Sequence, residues 1–239
     1  TADLGAGVGM LTAALVESVA SRSNNRHIHC TLYENEVRLI PLLRKVMRHT
    51  QRWAKTKGVN FRYSVRKVDL LEAFRNEKHA YTTIVSNPPF LRVPADSELK
   101  KKTRKFLCTV NLYGSFMEGT LNWTAKGGHF LLITPTSWKN GSHFELLRKE
   151  LLREAKLRRV VSFTRRDVVF EDVLQEVEFT KWKKKGVVQK NSKIEVGVAR
   201  KISKVKPETE FSLGYSKLIP DIDKGIILTT AHERHLEMI

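Results

Sequence analysis

Cysteine is scarce in this sequence, with only Cys30 and Cys108 among 239 residues. That excludes a disulfide framework, and no Cys/His spacing suits a structural metal, so no metal is expected. His27 and His29 alternate along one apolar stretch and read as structural residues. No apolar run reaches the ~18 residues that a membrane-spanning helix requires, so no membrane partner is expected. A reducing, intracellular setting is the default for a chain of this kind. Acidic residues are also in short supply: 25 Asp+Glu stand against 43 Lys+Arg, a formal net charge of +18. Such a surplus favours a polyanionic partner and argues against a small peptide as substrate.

What is present is concentrated at the ends of apolar runs. Tyr81 to Val85 reads as a strand, and Asn87-Pro88-Pro89-Phe90 follows it directly. Each proline fixes φ and removes a backbone donor, which leaves the Asn87 side chain and the neighbouring carbonyls as unopposed acceptors. Phe90 adds a flat apolar face. Acceptors beside an aromatic face suit a planar group carrying an exocyclic amine. Upstream, Asp3-Leu4-Gly5-Ala6-Gly7-Val8-Gly9 opens into an apolar-periodic stretch. Alternate glycines allow a tight turn and close ligand approach, and the helix behind them presents free N–H groups. A second strand, Ile28 to Tyr33, ends in Glu34-Asn35-Glu36, with an acid at the distance expected for gripping a ribose diol. Glu34 is the first choice there and Glu36 the second. A third strand, Phe61 to Val68, ends in Asp69-Leu70-Leu71. Ligands of open α/β sheets bind outside the carboxyl ends of the strands, where these four groups would meet.

Alternating patterns predict an α/β chain with a mostly parallel sheet and helices on both faces. Helices are expected at about 10–22, 37–56, 112–125 and 143–154, with Gly127-Gly128 as the stop of the third. Pro41 fits only the first turn of the second helix. Strands are expected at 129–134 and 157–163, and 176–182 reads as an antiparallel last strand after a short connection. Leu91 to Val110 is polar with no clear period and reads as a mobile loop over the site. Basic residues cluster. Residues 100–105 hold five in six positions (Lys100, Lys101, Lys102, Arg104, Lys105), residues 44–57 hold six with no acid, and residues 181–206 hold ten against one acid. The first run, just after the Asn-Pro-Pro-Phe tip, is the candidate nucleic-acid contact. The expected organisation is a catalytic domain over 1–185 and, over 186–239, a linker and the start of a C-terminal extension.

The glycine loop, Glu34, Asp69 and Asn87 to Phe90 come first. Then follow Asn111-Leu112-Tyr113-Gly114-Ser115-Phe116, Gly127 to Ile133 with Pro135 and Trp138, and Val169 to Val177. In this order and spacing they resemble the S-adenosylmethionine-dependent DNA adenine-N6 methyltransferases of the gamma arrangement, the type II modification enzymes. The resemblance runs from residue 1 to about 185. It implies a Rossmann-like methyltransferase sheet, S-adenosyl-L-methionine as cofactor and DNA as partner. It also implies a separately acting cognate restriction endonuclease and the cytoplasm of a bacterial or archaeal cell. Asn87 and the Pro88 carbonyl would hold the target amine, Phe90 would stack on the flipped adenine, and Phe170 would touch its other side. Asp3, Gly5, Gly7 and Gly9 would shape the cofactor loop. Glu34 would take the ribose, while Asp69, Leu70 and Phe116 would take the cofactor adenine. Asp69 has a second reading as a helix cap, and Phe116 and Phe170 as core residues. Methylation of RNA adenine or protein glutamine, or an inactive nucleic-acid-binding remnant, are the alternative functions. Relatives carry a segment before the glycine loop and a full recognition domain after the catalytic region, so the chain reads as a fragment with a truncated first strand.

Overall fold

The computed structural model describes residues 1–22, 27–163, 176–185, 193–199 and 209–228. Strand β1 (Ala2–Leu4) leads through the glycine loop to helix α1 (Met10–Arg22). Then come β2 (His27–Glu34), α2 (Ile40–Thr56), β3 (Asn60–Lys67), α3 (Leu70–Asn76) and β4 (Tyr81–Ser86). A short helix α4 (Glu98–Thr103) precedes α5 (Leu112–Trp123), β5 (Thr124–Pro135), α6 (Glu145–Glu154) and β6 (Ala155–Phe163). Strands β7 (Val177–Lys184), β8 (Lys193–Ala199) and β9 (Thr209–Gly214) and helix α7 (Tyr215–Leu218) follow.

The described strands form one sheet in the order β3-β2-β1-β4-β5-β7-β6-β8-β9. The left half, from β3 to β5, is parallel throughout. The order reverses at β1, whose neighbours are β2 and β4; that reversal opens the crevice in which α/β sheets place ligands. Strand β7 runs antiparallel between β5 and β6. Among the described residues two strands follow it in the chain. β8 pairs parallel with β6, and β9 pairs antiparallel with β8, so the sheet continues past residue 185.

Period-2 alternation in the strands divides the core between the two faces. On one face Ile28, Cys30 and Leu32 of β2 meet Val16 of α1 and Leu43 and Met47 of α2. Helix α2 buries Ile40, Leu43, Met47, Thr50 and Ala54 along one stripe, and its cationic side chains Arg44, Lys45, Arg48 and Arg52 lie off that stripe. On the other face Phe130 and Leu132 of β5 and Trp182 of β7 pack beneath α5 and α6, against Met117, Leu121, Leu147 and Leu151. Each such fully buried side chain contributes roughly 1.5–3 kcal/mol relative to exposure.

Three local expectations are revised. Helix α5 ends at Trp123, before the Gly127-Gly128 stop, because Thr124 already pairs with Tyr81 in the sheet. Gly127, at φ 75, instead lies in the β5 stretch that spans the register shift between Tyr81 and Thr83. Residues 91–110 are not a bare loop. Ser97 caps α4, while Val93, Phe106 and Cys108 bury into the core and outweigh the polar composition. The second helix begins at Ile40 rather than 37, with Pro41 in its first turn as expected.

Candidate active site

The carboxyl ends of β1, β2 and β4 are brought level by the register that pairs Asp3 with both Leu32 and Val85. The Ser86 hydroxyl donates to the Leu4 carbonyl at 2.6 Å, tying the end of β4 to the end of β1. This bond sets the distance between the glycine loop and the Asn-Pro-Pro-Phe tip. A Cβ added to Gly5 would lie 3.7 Å from Phe116 Cε1 and 4.0 Å from the Asn87 carbonyl oxygen. Gly5, Asn87 and Phe116 therefore face one cleft. Gly5 also has φ 78, where an L side chain is strained, so the conformation favours glycine.

The loop is braced by the neighbouring strand. The N–H groups of Gly5 and Ala6 both donate to the Tyr33 carbonyl, at 3.1 and 2.9 Å. Glu34 caps the arrangement: one carboxylate oxygen accepts from Gly7 N–H and the other from Glu36 N–H, both at 2.7 Å. Glu36 turns outward to Arg38. Gly9 has a packing reason for being glycine. A Cβ there would stand 2.6 Å from Met47 Cε and 2.8 Å from Leu43 Cδ1, inside the contact between α1 and α2.

Asp3 is fully buried beneath the loop. One oxygen accepts from the Thr12 hydroxyl at 2.7 Å, and the other has no hydrogen-bond partner. Burial pushes its carboxyl up from 3.8 to about 6, with the Thr12 bonds opposing. An orphaned buried oxygen behind a glycine loop is a second-layer feature that spacing alone does not reveal.

At the tip, Pro88 is buried and Asn87 and Phe90 are half-buried. The chain after the tip is stapled to the start of α5: Leu112 N–H donates to Leu91 O at 2.8 Å, and Val93 N–H to Val110 O at 2.7 Å. The Phe90 ring meets Tyr113 edge-on, with centroids 6.3 Å apart. Tyr113 stacks on Phe144 at 5.0 Å and shares a 2.8 Å hydrogen bond with Ser137. Burial drives the Tyr113 phenol well above its ordinary range. Ser137 belongs to the turn after β5, and the next two residues hold a buried acid. Trp138 Nε1 donates to Glu178 at 2.7 Å, and Lys139 Nζ to its other oxygen at 2.5 Å. Burial pushes the Glu178 carboxyl up, and the Lys139 ammonium opposes that shift. The sequence signal was faint, a single acid on the inward face of β7.

Asp69 has both oxygens engaged. One caps α3 by accepting from Leu71 N–H at 2.9 Å, and the other accepts from Lys102 Nζ at 2.6 Å. Lys102 also reaches Glu72 at 2.8 Å. The cap reading of Asp69 is thus present in the structure. Leu70 opens α3 and is buried. Phe116 is buried too, edge-on to Phe74 at 5.7 Å, while it borders Gly5. The basic run is divided. Lys100 bonds Thr109, Lys101 pairs with Glu98, Lys102 turns toward Asp69, and Arg104 and Lys105 are exposed. Phe170 and most of Val169 to Val177 lie outside the described residues. Among the described residues no cluster of metal-ligating side chains occurs, and no helix is long and apolar enough to cross a membrane.

Comparison with known proteins bears on the family and the fold. The chain is 29% identical over 248 aligned positions to the type II methyltransferase M.BsuBI of Bacillus subtilis, an alignment that takes in 98% of this chain and 48% of that protein. It is 31% identical over 183 positions to the type II methyltransferase M.PstI of Providencia stuartii, covering 73% of this chain and 36% of that one. The chain thus spans less than half the length of either relative. The fold superposes on the type IIG restriction endonuclease BpuSI with a TM-score of 0.65 at 16% identity, over 94% of this chain and 29% of that one. The Eco57I restriction-modification methylase family matches residues 14–170, well over half of the chain, from within α1 through the tip and past the end of β6. On that match the chain belongs to the Eco57I restriction-modification methylases.

Proposed function

We propose that this chain carries the catalytic unit of a DNA methyltransferase that moves a methyl group from S-adenosylmethionine to the N6 amine of adenine. One observation carries the reading: Gly5, just past β1, and Asn87, just past β4, face the same cleft at the ends of adjacent strands, with Phe116 beside them. The cradle fits the cofactor, since a side chain at Gly5 would project into the space between Phe116 and the tip. Bound there, S-adenosylmethionine supplies an electrophilic methyl on its sulfonium.

The residues divide the work. Gly5 and Gly7 would admit the methionine and ribose portion, and Glu34 would accept from the ribose hydroxyls beside its existing bonds to Gly7 and Glu36. Asp69, the Leu70 N–H and Phe116 would hold the cofactor's adenine. Gly9 and Asp3 act behind the loop, through packing and shape. The exocyclic amine of the target adenine is a poor nucleophile because its lone pair is delocalised into the ring. The Asn87 side-chain oxygen and the Pro88 carbonyl accept from its two N–H bonds and favour the pyramidal, more nucleophilic form. This is preorganisation with in-line positioning, and it requires no dedicated strong base. A base inside a duplex cannot reach the cleft, so the target is flipped out. Phe90 stacks on it, worth about 1–3 kcal/mol by analogy with single-strand binders. Phe170 is the proposed contact on the other side. Lys101, Arg104 and Lys105 are exposed cations of the basic run that suit DNA phosphates, while Lys100 is turned to Thr109.

The test is methyl transfer from labelled S-adenosylmethionine to DNA, RNA and protein, with the product identified by mass spectrometry. N6-methyladenine in DNA is the expected product. Asn87→Ala should lower transfer by on the order of 10²–10³ while cofactor affinity stays within about twofold, since only a transition-state acceptor is lost. Label in RNA or protein glutamine would overturn the substrate, and full activity in Asn87→Ala would overturn the site.

A further inference from the structure

Lys102 lies in a run of cations that suits nucleic acid, yet its ammonium points the other way. It donates to Asp69 Oδ2 at 2.6 Å and reaches Glu72 Oε1 at 2.8 Å. The opposite oxygen of Asp69 is held by the Leu71 N–H, so Oδ2 is the side of the carboxylate left for an incoming donor. An ammonium on Oδ2 and an exocyclic amine on Oδ2 are chemically the same demand, two N–H donors for one acceptor. We propose that Lys102 is a latch on the cofactor's adenine subsite: its ammonium holds the Asp69 oxygen that the adenine amine takes, and cofactor entry hands it over to Glu72. The inference rests on the assignment of Asp69 to the cofactor adenine.

The surroundings suit such a transfer. Glu72 lies one turn along α3 from the Asp69 cap and is already within bonding distance, so the ammonium changes partner without losing an ion pair. Lys102 and Asp69 are each about a third exposed or less, at 36% and 26%, so the pair is partly screened and can break. The two carboxylates hold the lysine well above its ordinary range, so it stays charged throughout. The backbone that carries Lys102 is anchored, because Thr103 is fully buried and Ser97 caps α4. The side chain can therefore move while the helix stays in place. Lys102 is thereby a determinant of cofactor affinity rather than a phosphate contact, unlike Arg104 and Lys105 two and three positions on.

The experiment is calorimetric titration of S-adenosylhomocysteine into the wild-type chain and the variants Lys102→Met, Lys102→Gln, Glu72→Gln and Asp69→Ala, each checked for an unchanged melt. Removing the competing ammonium should tighten binding about two- to fivefold, in full for Lys102→Met and less for Lys102→Gln, whose amide still donates, the range expected for one partly exposed ion pair. Glu72→Gln should weaken it by a similar factor, because the ammonium loses its second acceptor. Raising salt from about 0.05 to 0.5 M should improve wild-type affinity relative to Lys102→Met, since screening loosens the latch. Unchanged or weaker binding in both Lys102 variants, with Asp69→Ala weakened tenfold or more, would overturn the latch alone. Wild-type affinity in Asp69→Ala would overturn the adenine subsite itself, and the latch with it.

Discussion

Replacing Asp3 with Asn should make this protein more stable at pH 8 and less stable by about 1 kcal/mol at pH 4. Asp3 is fully buried, one oxygen is orphaned, and the Thr12 hydroxyl is its one side-chain donor. Desolvation pushes its carboxyl up from 3.8 to about 6 in the folded state. The folded protein thus holds the proton more tightly than the unfolded chain does. Stability from this group is fully present below about pH 4 and is lost as pH rises through about 6. The gap between 3.8 and about 6 corresponds to about 3 kcal/mol at roughly 1.4 kcal/mol per tenfold change, a ceiling that water entry on ionisation would lower. Asparagine keeps the acceptor for Thr12 and cannot ionise. Its amide would take the place of the orphaned oxygen and leave a buried donor unpaired, a cost of about 1 kcal/mol. The net gain at pH 8 should be about 1–2 kcal/mol. Urea denaturation of both proteins at pH 4.5, 6 and 8 reads the difference. Parallel stability profiles for the two proteins across that interval would refute the buried-charge argument. A variant less stable at pH 8 than at pH 4.5, relative to wild type, would reverse its sign.

Two further outcomes follow from the core. Lys139→Met leaves Glu178 buried without its cation and should cost about 3–5 kcal/mol in chemical denaturation, whereas Lys139→Met with Glu178→Leu should recover part of that loss, because an apolar pair can replace a buried ion pair while Trp138 Nε1 loses its acceptor. A double variant as unstable as the single would show that the turn needs the charges themselves. Gly9→Ala should destabilise by about 1–3 kcal/mol, since its Cβ would stand 2.6 Å from Met47 Cε at φ 89. Gly7→Ala, which meets nothing within 4 Å, should cost less in the same melt.

The site was legible where function and backbone coincide. Asn87 with its two prolines, the alternate glycines and Glu34 each sit at a strand end, and a strand end can be read from a period-2 run that stops. Asp69 was legible as an acid at a strand end but not as a carboxylate with both oxygens engaged, since one partner is its own helix and the other, Lys102, lies 33 positions away. The segment 91–110 misled for a related reason: its composition is polar, while a few apolar anchors, Val93, Phe106 and Cys108, decide its packing. Gly127 was read as a helix stop because local rules allow it, but the pairing of Thr124 with Tyr81 ended the helix earlier.

Period and punctuation alone determined an α/β sheet, the order of its first elements and the residues at its carboxyl edge, because these depend on neighbours within a few positions. Tertiary structure decided the rest. It inserted β7 between β5 and β6 and carried the sheet on through β8 and β9. It turned Lys102 inward to Asp69 and left Arg104 and Lys105 exposed. It buried Glu178 against Trp138 and Lys139. Each of those outcomes is a choice of partner across 30 positions or more, or a choice of edge in the sheet. Such choices are settled by which faces remain to be covered and which buried charges remain to be paired, quantities that exist only once the chain has closed on itself.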